Sequence, residues 1–194
     1  MKCLRKYQWA AIPLALHGRI VRADGTAFDV KIGEDDNDPV FYISDLLPHL
    51  AAKQNAKPLG EGLGGEDLNI WLGNMPYTAA EEDKDKTVKE NLLRILHEKY
   101  GVREEDFLSA ELSLVPAFRA KDVGFDRGLM AAYGHDDRVC SYPAYTALFD
   151  EEPEKHTVMV VLADKEEIGS EGATGMQCAI FTDLIDALAA SFGV

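Results

Sequence analysis

The chain of 194 residues lacks two features that would place it at a membrane or on a nucleic acid. It has no run of about 18 apolar residues, so we expect no membrane-spanning helix. Lys and Arg number 20 against 34 Asp and Glu, and the formal net charge is −14. That charge argues against a nucleic-acid backbone or an anionic membrane surface as a partner. With 46% hydrophobic and 28% charged residues, the composition is typical of a soluble globular protein.

Cysteine is also scarce, and its placement excludes a disulfide framework. Cys3, Cys140 and Cys178 are odd in number and show no C-x-x-C spacing, which favours reduced thiols in a cytoplasmic protein. The apolar stretch Ala10–Leu16 follows basic residues, as in a secretory signal. Because Pro13 interrupts it and no small-x-small cleavage pattern follows, we expect no signal peptide and a cytoplasmic location.

The first two thirds of the chain carry strand patterns and one long helical pattern. The apolar segment 10–22 and the alternating segment 28–32 flank an Asp-Gly turn, which predicts a β-hairpin. Apolar residues at helical spacing from Thr87 predict a helix of about 14 residues that ends at Gly101. We also expect strands at 40–43, 67–72 and 110–115, helical structure at 45–53, a solvated helix start at 81–86, and irregular backbone at 116–128.

The last third has the pattern of an α/β layer. Thr157–Leu162 is a continuous apolar run, which is typical of a strand buried on both faces of a sheet. Helices are expected at 139–148 and 181–192, with an acidic connection at 151–154 and a Gly-rich loop at 169–175. We therefore predict an α/β protein with a mostly-β domain at 1–124 and a partial three-layer α/β domain at 125–194.

The expected strand leads directly into two adjacent carboxylates, Glu166 and Glu167. Active sites lie at the carboxyl ends of strands in α/β sheets. Of two neighbouring carboxylates there, one can bind a metal while the other takes a proton from water. Adjacent glutamates are also common as a solvated charge pair at the start of a loop, and the pattern alone leaves both interpretations open.

A second set of potential metal ligands, His135, Asp136 and Asp137, lies between an irregular segment and a predicted helix. A carboxylate at such a junction can bridge two cations with its two oxygens. It can also cap the helix by accepting backbone N–H groups, and the pattern alone favours this alternative.

Taken together and in order, five segments resemble the aspartyl aminopeptidase family of dinuclear zinc exopeptidases. They are residues 6–9 with 12–18, 45–51, 115–117 with 122–126, 133–140, and 164–177. The resemblance implies that Asp136 bridges two metal ions, that Glu167 is a terminal ligand, and that Glu166 is the general base. It also implies Zn²⁺ as the cofactor, with Mn²⁺ or Co²⁺ as substitutes, and removal of acidic N-terminal residues from peptides.

The resemblance further implies a dimerisation-type domain at 1–124, a homo-oligomer that reaches a dodecamer in the family, and a partial catalytic domain at 125–194. A family metal site needs about five protein ligands, and zinc sites generally need at least three. None of His17, His49, His97 and His156 lies at the position of a metal-binding histidine of the family. We therefore expect an incomplete metal site in this chain alone, and a non-catalytic oligomerisation module is the alternative function.

Overall fold

The computed structural model describes residues 11–77, 87–150 and 156–193. It divides into two compact units, an N-terminal unit that ends at Tyr133 and a C-terminal unit that begins at Gly134. The predicted domain boundary lies at Gly124. Cys3, the expected helix start at 81–86 and the acidic connection at 151–154 lie outside the described residues.

A three-stranded antiparallel sheet is the framework of the N-terminal unit. Its central strand β1 (Leu14–Val21) pairs with β2 (Ala27–Ile32) on one side and β3 (Glu111–Pro116) on the other. The predicted hairpin is therefore confirmed, as is the strand expected at 110–115. Gly25 in the hairpin turn has φ 83°, a conformation that residues with a Cβ adopt at a cost.

Two α-helices are described in this unit, and the longer one confirms its prediction. Helix α1 (Ala52–Asn55) is a single short turn, whereas α2 (Thr87–Tyr100) has 14 residues. Helix α2 ends where Gly101 takes φ 64° and donates its N–H to the carbonyl oxygen of His97 at 2.9 Å. The main core cluster comprises Ile20, Val30, Ile32 and Val102, with side chains of α2 and β3 packed against it.

A buried carboxylate joins the hairpin by hydrogen bonds to the segment that follows α2. Asp106 is 4% exposed and lies in the short 3₁₀ helix Glu104–Ser109. Its two carboxylate oxygens accept hydrogen bonds from the backbone N–H groups of Ala23 at 3.1 Å and Arg103 at 2.8 Å. Burial of this charge is tolerated because both oxygens have donors.

Several short-range predictions in the N-terminal unit are wrong. The strands expected at 40–43 and 67–72 are reduced to isolated bridges, and the helical structure expected at 45–53 is largely replaced by turns and irregular backbone. These segments lack the length and periodicity that would specify regular structure locally.

The stretch expected to be irregular, 116–128, contains the first strand of a second hairpin, whose other strand follows directly after it. Strand β4 (Lys121–Val123) pairs antiparallel with β5 (Leu129–Ala131). Each strand has three residues, all exposed, so no alternating burial pattern marks them in the sequence.

The described part of the C-terminal unit contains two α-helices, α3 (His135–Asp150) and α4 (Ala179–Ser191), and both confirm predictions. The prediction of a buried strand at 157–162 is wrong. No strand is assigned to that described segment, and Val158 and Leu162 are more than half exposed. A strand buried on both faces needs neighbouring strands and covering helices, which the described part of this unit does not supply. None of the described helices has the length and apolar character needed to cross a membrane.

Candidate active site

The two adjacent glutamates lie on one turn of 3₁₀ helix, Glu166–Ile168, which we call the glutamate turn. Left-handed residues flank it on both sides, Lys165 with φ 63° and Gly169 with φ 98°. The N–H of Gly169 donates to the carbonyl oxygen of Glu166 at 2.8 Å, and that of Ser170 donates to Lys165 at 2.9 Å. Both glutamate side chains are exposed, so the turn presents two carboxylates at one point of the chain.

Asp136 lies at the start of α3 but does not have helical geometry. Its φ of −82° and ψ of 114° are non-helical, and the Asp136–Asp137 peptide bond is cis. The side chain is exposed. Asp136 therefore lies, exposed to solvent, at an irregular junction at the start of α3.

The described residues do not complete a metal site. Among residues 11–77, 87–150 and 156–193, no group of three or more His, Cys, Asp and Glu side chains could hold a metal ion. Zinc sites generally have three or four protein ligands. Asp136 and Glu167 belong to the same C-terminal unit, but two carboxylates supply too few donors for zinc.

Among the histidines to which the resemblance assigns no metal-binding role, His17 lies beside a carboxylate. Its Nε2 lies 3.0 Å from Oε1 of Glu34, whose Oε2 is 2.8 Å from Nζ of Lys31. The hydrogen bond from Lys31 is the main reason that the pKa of Glu34 lies below its ordinary value. His17 therefore lies beside the Glu34–Lys31 ion pair in the N-terminal unit.

The loop that follows the glutamate turn is closed by side-chain hydrogen bonds that the sequence pattern did not predict. Thr174 Oγ1 donates to Oδ2 of Asp164 at 3.0 Å, and Gln177 Nε2 donates to the carbonyl oxygen of Gly169 at 2.6 Å. The partners are ten and eight residues apart, beyond the reach of a periodicity argument. The only signal is the Gly-rich composition of 169–175, which indicates a loop that folds back on itself.

Comparison with known proteins identifies the family. A family model described as "Aminopeptidase I zinc metalloprotease (M18)" matches residues 4–193. The chain belongs to the M18 family. The resemblance to a family of zinc aminopeptidases is thus confirmed.

Relatives within the M18 family match nearly the whole chain. It is 51% identical over 182 residues to a probable M18 family aminopeptidase 1 from Clostridium acetobutylicum, which covers 94% of this chain and 39% of the relative. A crystal structure of an M18 aminopeptidase from Thermotoga maritima matches with a TM-score of 0.84 and 43% identity, and that of aminopeptidase I from C. acetobutylicum with 0.81 and 49%.

These structural matches cover 97% and 96% of this chain, and 40% of each solved chain. The chain therefore spans about two fifths of the length of the relatives it matches. Its mixed helix-and-strand fold is that of the matching part of M18 aminopeptidases.

Proposed function

We propose that the protein functions in a metal-dependent aminopeptidase that removes acidic N-terminal residues from peptides. The match of the M18 family model to residues 4–193 carries this proposal. Within the described chain, Glu166 serves as the general base and Asp136 and Glu167 serve as metal ligands. We assign residues 1–124 to a dimerisation-type domain and residues 125–194 to a part of the catalytic α/β domain.

The exposed carboxylate of Glu166 suits a general base because it can take a proton from water directly, with no change in the backbone of the glutamate turn. Zinc at a complete donor set lowers the pKa of water and polarises a carbonyl group. Since the described residues bring together too few donors for zinc, a complete site requires further ligands.

Oligomerisation and a cytoplasmic location belong to the same proposal. Leu46, Leu47 and Leu50 of the N-terminal unit are each more than half exposed, and apolar side chains clustered in this way mark interaction surfaces. A homo-oligomer would bury them between copies. Light scattering at micromolar concentration tests this point, and a monomer there would contradict it.

The activity is tested by adding Zn²⁺, Mn²⁺ or Co²⁺ to the purified chain and measuring cleavage of Asp-, Glu- and Leu-anilides. The variant Glu166→Gln keeps the shape of the side chain but cannot accept the proton, so we expect it to lower kcat by about 10²- to 10⁴-fold. Glu171→Gln is the matched control, because it neutralises an exposed glutamate in the same loop.

Activity that both glutamine variants reduce equally would contradict the role of Glu166. Activity no greater than that of Glu166→Gln would mean that the chain alone does not form the complete site. A preference for Leu-anilide over the acidic substrates would contradict the proposed specificity.

A non-catalytic oligomerisation module is the second candidate function. It is favoured by one observation, that no group of three potential metal ligands is present among the described residues. This candidate predicts an oligomer that neither binds Zn²⁺ stoichiometrically nor cleaves any anilide, which calorimetry and light scattering can establish together.

A further inference from the structure

Two non-glycine residues beside the glutamates have an unfavourable backbone conformation. Lys165 with φ 63° precedes the glutamate turn, and Ser170 with φ 58° follows Gly169. A left-handed residue that is not glycine costs about 1–2 kcal/mol. Such conformations persist where the surrounding structure imposes them, and they are concentrated at functional sites. The surroundings of the turn should therefore contain contacts that hold it.

One pair of hydrogen bonds joins the residue ahead of the glutamate turn to the Gly-rich loop that follows the turn. The N–H of Asp164 donates to the carbonyl oxygen of Thr174 at 3.2 Å, while Thr174 Oγ1 donates to Oδ2 of Asp164 at 3.0 Å. This reciprocal pair joins the residue just ahead of Lys165 to the far side of the Gly-rich loop.

A second contact closes the loop immediately after the turn. Gln177 Nε2 donates to the carbonyl oxygen of Gly169 at 2.6 Å. The backbone N–H of Gln177 donates to the carbonyl oxygen of Ser170 at 3.2 Å. One residue thus binds two consecutive carbonyl groups at the end of the glutamate turn.

The returning backbone lies directly against the end of the turn. Gly175 is buried, and a Cβ placed on it would overlap the carbonyl oxygen of Ser170. Only glycine permits so close an approach of two backbone segments. The approach brings Thr174 and Gln177 within hydrogen-bond distance of their partners on each side of the turn.

From these contacts we infer that Gln177 and Thr174 are positioning residues, which hold the backbone of the glutamate turn and thereby fix how Glu166 and Glu167 are presented. The inference rests on the proposed aminopeptidase function. Thr174 acts through the side-chain carboxylate of Asp164, just ahead of the turn, and Gln177 acts through the backbone carbonyl group of Gly169 at its end. Side chains that orient ligands in this way typically contribute about 10- to 100-fold to activity or metal affinity.

The test compares Gln177→Leu and Thr174→Val with the unmodified chain. Both replacements remove a hydrogen-bond donor at nearly constant volume, and Thr174→Ser restores the hydroxyl. Thr146→Val is the matched control, because Thr146 Oγ1 donates to the carbonyl oxygen of Tyr142 at 2.9 Å in the exposed helix α3 of the same unit.

Amide hydrogen exchange across residues 164–170 provides a readout that does not need activity. Loss of one net hydrogen bond should accelerate exchange there by about fivefold in Gln177→Leu and Thr174→Val. In an active preparation, kcat should fall by about 10- to 100-fold with KM unchanged, since the substrate contacts remain. Thr174→Ser should restore both, and Thr146→Val should change neither.

Unchanged exchange across 164–170 in both variants would overturn the inference. Faster exchange with undiminished kcat would overturn it too, since the contacts would then hold the turn without affecting catalysis. If the unmodified chain is no more active than Glu166→Gln, the proposed function fails for the isolated chain. The exchange measurement then decides separately whether Gln177 and Thr174 hold the glutamate turn.

Discussion

The two units of the molecule bury their apolar side chains to very different extents. In the N-terminal unit, Leu14, Ile20 and Val102 are buried between the sheet and its covering segments. In the C-terminal unit, none of the hydrophobic side chains described is buried, and Leu184 and Phe192 of α4 are exposed. The N-terminal unit therefore has a hydrophobic core of its own, whereas the described C-terminal unit is ordered mainly by helical and loop hydrogen bonds.

This difference matters because the candidate catalytic residues lie in the unit without a buried core. Asp136, Glu166 and Glu167 all belong to it. Their local geometry depends on a few hydrogen bonds that individually contribute about 1 kcal/mol. The stability of the chain and the geometry of its candidate site should therefore respond to different substitutions.

The largest expected effect is on the core of the N-terminal unit. Leu14 is 1% exposed, and Leu14→Ala should lower the free energy of unfolding by about 2–5 kcal/mol because it leaves a cavity. Leu184 is 46% exposed, so Leu184→Ala should change the free energy of unfolding by no more than about 0.5 kcal/mol. Urea denaturation followed by circular dichroism measures both. Equal losses would remove the contrast between the units.

A smaller difference in stability is expected between substitutions of Asp106 in the N-terminal unit and Asp164 in the C-terminal unit. Asp106→Ala leaves two backbone N–H groups without their acceptor in a buried position, which should cost about 1–3 kcal/mol. Asp164 is exposed, so Asp164→Ala should cost about 0.5–1 kcal/mol in the same denaturation experiment. A greater cost at Asp164 would show that the Gly-rich loop contributes more to global stability than its exposure suggests.

The smallest expected effect is on the stability of the protein at low pH. Because Lys31 lowers the pKa of Glu34 in the folded protein, the ion pair stabilises the fold above the ordinary pKa of a glutamate and loses that effect as the pH falls through the lowered value. The Glu34 side chain is 34% exposed, so solvent screening limits the contribution to at most about 1 kcal/mol.

Glu34→Gln should consequently lose less stability than the unmodified chain between about pH 7 and about pH 3. Unfolding free energies measured at both pH values give the difference, and Glu171→Gln is the control in the other unit. A loss on acidification that is the same in Glu34→Gln and the unmodified chain would contradict the role of the ion pair.

Local patterns predicted the elements whose structure depends on nearby residues. The first hairpin follows from an Asp-Gly turn between apolar segments, and α2 follows from periodic apolar residues ended by Gly101. The second hairpin, β4 with β5, escaped prediction because all six of its strand residues are exposed. The strand predicted at 157–162 failed for the opposite reason, because its apolar run has no pairing partner in the described chain.

The residues of the candidate site also fall into two groups, those that the sequence identified and those that only the structure identified. The sequence singled out Asp136, Glu166 and Glu167 by their motifs, and their roles remain predictions. It assigned no role to Thr174 or Gln177, whose partners lie ten and eight residues away across a folded loop. No propensity or periodicity encodes a contact that exists only after the loop closes.

By itself, the sequence determined the M18 family, the first hairpin, the helices α2, α3 and α4, and the position of the two glutamates along the chain. These depend on motifs, turn residues and apolar periodicity, which act over short distances. Only the tertiary structure decided which apolar side chains are buried and how the glutamate turn is held. Burial and loop closure depend on which distant segments meet, and that is a property of the folded chain as a whole.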